Sequence, residues 1–466
     1  MKKFQFKTHF KQILSDTLTP VSIYLKLRDK FPNSLLLESS DYQANNNSFS
    51  YVCFNPIATI KVENETIFRT FPDGASSTKP IDKSTNLALE VEDFASQFQP
   101  DRHDFKFISN GLFGYISYDA VRYFEKTQIS PKPNSFAIPD LHYSVFQNII
   151  AINHFKNEAF IFCNSLNNQN NVEEIIQLLQ SKNFVSYSFQ NEGPKTSNCT
   201  DAEFVKNVAL GKNHCKLGNV FQIVFSRRFS QKFKGDEFNV YRALRSINPS
   251  PYLFYFDYGN FKLFGSSPEA QLVVKNRIAE IHPIAGTFKR TGNDTDDAIL
   301  AKKLSADRKE NSEHVMLVDL ARNDLSRNGN QVKVEKFQEV QFFSHVIHLV
   351  SKVTSFLHPK SKTMQVVADT FPAGTLTGAP KHKALEIINQ VETTNRGFYG
   401  GAIGFMDFEG NFNHAIMIRT FLSKNHSLHY QAGAGIVESS VEENELNEVY
   451  HKLGALDKAL EIAENI

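Results

Sequence analysis

The chain has 466 residues, of which 41% are hydrophobic and 22% charged, and its formal net charge is +1. This composition is typical of a globular protein of two or three domains, and near-neutral charge gives no reason to expect nucleic acid or an anionic membrane as partner. No stretch approaches the roughly 18 apolar residues of a membrane helix, and the first residues make a poor signal peptide. The four cysteines lack metal-ligand spacing, which favours reduced thiols in a cytoplasm.

The N-terminal part of the chain alternates apolar and polar residues in several short runs. Such alternation predicts strands, here over residues 50–54, 58–62 and 149–153, with a turn at residues 71–75. Residues 187–198 are polar and contain the Gly193-Pro194 pair. We therefore predict two domains, one over residues 1–190 and one over residues 198–466.

The second part begins with a helix-start pattern. Thr200 and Glu203 form a capping box, in which each side chain bonds the other residue's free backbone amide. The helix that follows is predicted to end at residues 218–219, before a strand over residues 220–226. Later helical patterns alternate with strand-like runs at residues 401–405 and 428–432. The predicted fold class is α+β, with mostly antiparallel sheets covered by helices.

The C-terminal segment predicts an amphipathic helix with an acidic pair. Glu445, Glu448 and Lys452 share one face, and Ser440 is expected to cap the helix start. The helix has an apolar stripe at spacings of three and four, formed by Leu446, Val449, Leu453, Leu456 and Leu460.

A second predicted helix, near residues 307–318, carries Glu310 and Glu313 at the same spacing of three. Mg²⁺ typically takes one or two carboxylates and substrate oxygens, so two such pairs facing one cavity would suit it. The alternative is two solvated helix faces with surface ion pairs of about 0.3–0.5 kcal/mol each. Taken alone, the spacing favours that alternative.

Eight short strings between residues 264 and 436 resemble, in order and spacing, those of the chorismate-utilising enzymes. This family includes anthranilate, aminodeoxychorismate, isochorismate and salicylate synthases. The strings are FGSSPE (264–269), PIAGT (283–287), EHVMLVDLARNDL (313–325), HLVS (348–351), GTLTGAPK (374–381), RGFYGG (396–401), IRT (418–420) and QAGAGI (431–436). The resemblance implies the layered sandwich of antiparallel sheets and flanking helices of anthranilate synthases.

The resemblance also implies roles for individual residues. Glu313 and Glu448 match the direct Mg²⁺ ligands, supported by Glu310 and Glu445. Glu269 matches the general acid that protonates the departing ring hydroxyl, which requires a pKa raised by burial. The substrate-binding residues it implies are Thr377, Gly378, Tyr399, Arg419, Gly433, Gly435 and Lys452.

Two further residues match groups that act in catalysis. His348 matches the histidine used in the elimination of pyruvate, and Thr287 is placed beside it in the catalytic set. Without the surrounding strings, His348 would be interpreted as a core histidine and Glu269 as a residue at the end of a strand. The matching strings favour the catalytic roles.

Two positions distinguish among the relatives. Family members that add water at ring carbon two resemble one another in a lysine base at the position of Gln222, and a glutamine cannot deprotonate water. Many aminodeoxychorismate synthases have a nucleophilic lysine where this chain has Ala285. These positions favour direct attack of ammonia on carbon two, which gives anthranilate after loss of pyruvate.

A segment of the N-terminal half and a second one just beyond it resemble the inhibitory tryptophan site of anthranilate synthases. The segments involved are residues 35–40 and 248–253, and the residues implied are Pro20, Glu38, Ser39, Pro251, Tyr252 and Leu253. The alternative, purely structural interpretation of residues 35–40 is a buried strand that ends in a turn.

The resemblance also implies a partner. No Gly-x-Cys-x-Gly nucleophile turn surrounds any cysteine, so ammonia is expected from a separate glutamine amidotransferase subunit, in an α2β2 assembly. Two alternatives remain open. One is an aminodeoxychorismate synthase that works without the lysine, and the other is a tryptophan-binding regulator without catalytic activity.

Overall fold

The structure, a computed structural model, describes residues 2–39, 48–101, 103–125, 129–130, 132, 136–181, 183–342 and 346–466, without the side chains of Thr287 and Lys309. Ser40 and the segment after it therefore lie outside the described residues. In the part of the chain that is described, no helix is long and apolar enough to cross a membrane. None of the four cysteines forms a disulfide.

Strands dominate the described residues. They are β1 (Phe4–Leu14), β2 (Leu35–Glu38), β3 (Phe49–Glu63), β4 (Thr66–Thr70), β5 (Ser76–Pro80), β6 (Phe98–Pro100), β7 (Leu112–Ile116), β8 (Leu141–Asn153), β9 (Glu158–Ser165), β10 (Phe189–Ser197), β11 (Gln222–Gly235), β12 (Tyr252–Asp257), β13 (Lys262–Ser267), β14 (Ala270–Lys275), β15 (Ile278–Ile281), β16 (Ile284–Lys289), β17 (Gly329–Phe342), β18 (Val346–Leu357), β19 (Gly378–Ala379), β20 (Ala402–Met406), β21 (Phe412–Ile416), β22 (Thr420–Lys424) and β23 (Ser427–Ile436).

Helices follow or interrupt these strands. They are α1 (Pro20–Leu27), α2 (Leu87–Ala95), α3 (Val121–Phe124), α4 (Val172–Gln180), α5 (Asp201–Lys216), α6 (Phe238–Ile247), α7 (Asp294–Ala306), α8 (Arg308–Ser326), α9 (Thr363–Thr370), α10 (Lys381–Val391) and α11 (Glu442–Ala463).

Two long strands, β3 and β8, take part in two sheets. The first half of β3 and the second half of β8 pair with β2 and β9, whereas their other halves pair with β4 and β7. The first sheet runs β1-β9-β8-β3-β2-β12-β13-β22-β23-β11-β10. The second runs β5-β4-β3-β8-β7-β20-β21-β14-β15-β18-β17. The pairings within both sheets are antiparallel.

The buried apolar residues of the described chain form three large clusters in successive layers and a smaller fourth cluster between α7 and β18. Strand β12 shows why, because successive side chains of a strand point to opposite faces. Leu253 and Tyr255 join a cluster with α1, α5, α6, α10 and α11, while Phe254 and Phe256 join a cluster between the two sheets. The third cluster lies between the second sheet and α2, α8 and α9. The predicted α+β sandwich of antiparallel sheets flanked by helices is confirmed.

Most predicted elements are present, with three differences. The runs at 50–54 and 58–62 belong to one strand, β3, rather than to two. The capping box of Thr200 and Glu203 begins α5, as predicted. The prediction for Ser440 was wrong: Val441 is the N-cap of α11 without a side-chain bond, and Ser440 Oγ accepts from the Val437 amide instead. The polar residues 189–197 form β10, and the division into two domains stays a prediction.

Candidate active site

Three predicted residues meet at the start of β11 and the end of β23. The amide Nε2 of Gln222, on β11, donates to Glu313 Oε1 of α8 at 2.7 Å. A Cβ at Gly435, on β23, would lie 2.6 Å from Gln222 Nε2 and 3.9 Å from Glu313 Oε1. Only a glycine leaves room for this contact between strand and helix.

Gly433, two residues earlier on β23, connects three other predicted residues. A Cβ at Gly433 would lie 3.1 Å from the hydroxyl of the buried Tyr399, and the Gly433 carbonyl accepts from Lys452 Nζ at 2.9 Å. The same ammonium lies 2.6 Å from Glu448 Oε1, one turn earlier on α11. Residues 433–435 of β23 are therefore approached by Glu313 from α8 and by Lys452, paired with Glu448, from α11.

Glu269 has the properties of an acid at neutral pH. It follows β13, and its carboxyl is surrounded by protein although the residue keeps a partly accessible edge. Burial raises the pKa of Glu269 to about 7, against the lowering effects of a hydrogen bond from Thr375 and of the charges of Lys452 and Arg419. The Thr375 hydroxyl donates to Glu269 Oε1 at 3.1 Å. About half of this carboxyl population therefore carries a proton at neutral pH.

His348 lies buried on β18, beside β16. Its Nδ1 donates to the carbonyl of Gly286 at 3.0 Å, and burial lowers the pKa of the ring. A neutral ring whose Nδ1 carries the proton has Nε2 as its basic atom. Gly286 also lies close to α8, since a Cβ there would lie 3.2 Å from Glu310 Oε2.

The remaining predicted residues lie on neighbouring segments. Thr287 pairs with His348 in the β16–β18 ladder, but its side chain is outside the described part of the structure. Thr377 accepts from the Val224 amide through its carbonyl, and its hydroxyl donates to Ala373. Gly378 has a φ of 132°, and a Cβ there would lie 2.2 Å from the Gln222 carbonyl oxygen, so this position also requires glycine.

The acidic residues suit a hard cation in their chemistry. Glu445 is buried on α11, one turn before Glu448, just as Glu310 lies one turn before Glu313 on α8. Within the described residues, no three Asp, Glu, His or Cys side chains are gathered closely enough to hold a metal by themselves. Mg²⁺ needs only one or two carboxylates with water or substrate oxygens, so these glutamates fit it by donor type.

A second polar cluster lies at the predicted regulatory segments. Glu38, at the end of β2, is buried and accepts from both Arg245 Nε and Nη2 at 2.9 Å and from the Tyr241 hydroxyl at 2.5 Å. Both donors belong to α6. β2 pairs with β12 so that Glu38 lies opposite Leu253, and α1, which begins at Pro20, packs on β2.

The other regulatory candidates flank this cluster. Ser39 follows β2, and its carbonyl accepts from Ser48. Pro251 and Tyr252 are both partly buried where β12 begins. At the end of α6, Asn248 accepts from Arg419 Nη1 at 3.4 Å, so α6 reaches from the Glu38 cluster to a predicted substrate-binding residue.

Sequence reasoning missed Thr375, Gly286 and Asn248. Each lies inside a string that was singled out, yet none was given a role, because a hydroxyl, a glycine and an amide each have many structural uses. Their contacts with Glu269, with His348 and Glu310, and with Arg419 appear only in the folded chain.

Comparison with known proteins defines the class first. The family model described as chorismate binding enzyme matches residues 33–458. Anthranilate synthase component 1 of Aquifex aeolicus is 36% identical, over 98% of this chain and 94% of its own. The Bacillus pumilus protein of the same name is 37% identical, over 97% and 92%. The structure of anthranilate synthase component I from Streptococcus pneumoniae TIGR4 superposes with a TM-score of 0.79 and 30% identity, over 96% and 99%.

The fold and the matched family thus define a chorismate-binding enzyme. Within that class, these three proteins share 30% or more of their sequence with this chain over nearly its full length, and all three are named anthranilate synthase component 1 or I. The chain belongs to the anthranilate synthase component 1 family.

Proposed function

We propose that this chain is the large subunit of an anthranilate synthase. In the first step ammonia bonds to carbon two of the chorismate ring while the hydroxyl at carbon four takes a proton and leaves as water. Elimination of pyruvate then gives anthranilate. The hydrogen bond of Gln222 to Glu313 is the observation that carries this proposal. An amide that donates to a carboxylate has no basic atom with which to deprotonate water, whereas ammonia is already a nucleophile.

Glu269 supplies the proton for the first step. With a pKa of about 7, it is protonated in a large fraction of molecules and can transfer that proton to the departing hydroxyl as the amine attacks. Arg419 and Lys452 act electrostatically on the same carboxyl, and both are proposed to bind the carboxylates of the substrate. Ala285, on β16, offers no nucleophile, so the amine attacks the ring directly.

His348 is proposed as the base of the second step. Because Nδ1 donates to the Gly286 carbonyl, Nε2 is the atom that takes the proton from the substrate ring. Burial lowers the pKa of His348 and so keeps its imidazole neutral. Loss of that proton with the enolpyruvyl group restores aromaticity. Tyr399 and the glycines of β23 line the same stretch of strand and are proposed to bind substrate.

Mg²⁺ is the proposed cofactor. Glu313 and Glu448 would hold it, with Glu310 and Glu445 in support, and it would neutralise the ring carboxylate of chorismate. Replacing Glu448 by Gln is expected to abolish turnover and to weaken Mg²⁺ binding by calorimetry, because one of the two direct ligands loses its charge. Glu461, exposed on the same helix and paired with Lys458, offers a matched control. Unchanged magnesium affinity in the Glu448 variant would contradict the assignment.

Tryptophan is the proposed inhibitor, bound near Glu38, Ser39, Pro20 and residues 251–253. The support is the meeting of these segments around α6, whose last turn reaches Arg419 through Asn248. A glutamine amidotransferase subunit is the proposed source of ammonia, in an α2β2 assembly in the cytoplasm.

One incubation tests the main proposal. The chain is mixed with chorismate, MgCl₂ and ammonium sulfate at mildly alkaline pH, with and without tryptophan, and the product is followed by anthranilate fluorescence and by pyruvate. Anthranilate that requires Mg²⁺ and decreases with tryptophan supports it. A stable aminated product without pyruvate would instead indicate an aminodeoxychorismate synthase, and full inactivity would indicate a tryptophan-binding regulator.

A further inference from the structure

A buried ion pair joins α8, α9 and α10, outside the residues to which the sequence assigns a role. Lys381 begins α10 and is 6% exposed, and Asp324, near the end of α8, is 4% exposed. Lys381 Nζ donates to Asp324 Oδ2 at 2.7 Å and to the carbonyl of Thr370, the last residue of α9, at 3.0 Å. One ammonium therefore joins three helices.

The pair closes the base of one loop, which we call the substrate loop (residues 371–380). The loop begins after Thr370, whose carbonyl Lys381 binds, and it ends immediately before Lys381 itself. Both ends of the loop are thus held at one point, and Asp324 attaches that point to α8. Helix α8 also contacts the middle of the loop, where a Cβ at Gly374 would lie 2.0 Å from Leu320 Cδ2.

The substrate loop carries groups that act on the reacting end of the site. Thr375 donates to Glu269, and Ala379 pairs with Gln222 in the β11–β19 ladder. The relative positions of the Glu269, Gln222 and Glu313 side chains therefore depend on a fixed position of the loop on α8. A displacement of about 1 Å in such a site can reduce a rate 100-fold.

From these contacts we infer that Lys381 and Asp324 are positioning residues, which lock the substrate loop to α8 so that Thr375 stays on Glu269. The inference rests on the proposed function for its kinetic consequence. A purely structural role would be served equally well by an apolar pair, because well-packed hydrophobic residues can replace a buried ion pair at little or no cost in stability. An apolar pair, however, leaves the Thr370 carbonyl without its donor.

The test uses Lys381→Met, the double variant Lys381→Met with Asp324→Leu, and a control. The control is Lys383→Met, since Lys383 lies two residues further along α10 and is exposed in a pair with Glu386. We expect both Lys381 variants to lose about 100-fold in kcat/KM. The descending limb of their kcat/KM profile should shift to higher pH by about half a pH unit, because loss of the Thr375 hydrogen bond raises the pKa of Glu269. The double variant should recover part of the unfolding free energy that Lys381→Met loses, because no buried carboxylate is left unpaired, but it should recover neither of these properties.

Hydrogen exchange of the substrate loop is measured on the same proteins, and it requires no turnover. We expect faster exchange within residues 371–380 in both Lys381 variants and wild-type exchange in the Lys383 control. If the double variant regains kcat/KM, the wild-type pH profile and slow loop exchange along with its stability, the pair is structural only and the inference is wrong. Should the wild-type chain make no anthranilate, the proposed function fails, while loop exchange still decides whether Lys381 anchors the loop.

Discussion

Replacing Glu269 by Gln tests the raised pKa on which the acid role depends. The variant keeps the shape of the side chain but cannot ionise. The ordinary pKa of a glutamate is 4.5, and burial raises that of Glu269 to about 7 in the folded chain. Between these values the folded state binds more protons than the unfolded state, so the contribution of Glu269 to stability is complete at low pH and is lost as the pH rises through 7.

The size of this effect follows from the two pKa values. Relative to the Gln variant, the wild-type chain should lose about 2 kcal/mol of unfolding free energy between about pH 5.5 and pH 8.5. Urea unfolding at four or five pH values, in EDTA so that no metal contributes, measures the difference. Glu409→Gln, at an exposed turn, controls for the loss of a negative charge. A difference between wild type and variant that stays constant over this range would refute the raised pKa.

The same substitution has a kinetic consequence. Loss of a general acid typically costs 10²–10⁴-fold in rate, so the Gln variant should form anthranilate at least 100 times more slowly. The wild-type kcat/KM should fall above pH 7 as Glu269 loses its proton. Near-normal turnover by the variant, or a wild-type profile without this descending limb, would exclude Glu269 as the acid.

Three other substitutions test neighbouring parts of the structure. Gly435→Ala should reduce activity about 100-fold, because its Cβ would collide with Gln222. The control, Gly454→Ala, lies in open space on α11 and should raise the unfolding free energy by about 0.5–1 kcal/mol. Enzyme kinetics and urea unfolding are measured for both variants. Gln222→Leu removes the donor to Glu313 and should weaken Mg²⁺ affinity about 10-fold by calorimetry, and an unchanged affinity would show that the hydrogen bond does not orient Glu313. Glu38→Gln weakens the hydrogen bonds from Arg245 and Tyr241 and should lower the unfolding free energy by about 1.5–3 kcal/mol. It should also abolish tryptophan inhibition, and inhibition at wild-type strength would exclude Glu38 from the inhibitor site.

Local patterns in the sequence predicted much of the secondary structure. The capping box at Thr200 and the apolar stripe of α11 depend on residues three or four positions apart, so the information lies within one turn or two. The failure at Ser440 has the opposite cause. Its hydroxyl binds the preceding Val437 amide, and the choice between two nearby amides is settled by the path of the chain rather than by residue type.

The sequence by itself determined the family, the fold class and most of the residues proposed for catalysis, because the eight strings preserve residue types in order and need no coordinates to be recognised. Only the tertiary structure brought Gln222 to Glu313, Thr375 to Glu269 and Lys381 to Asp324, across 91, 106 and 57 positions of the chain. The raised pKa of Glu269 is likewise a property of the assembled site. It arises from removal of the carboxyl from water, and burial of that kind is produced by segments distant in sequence.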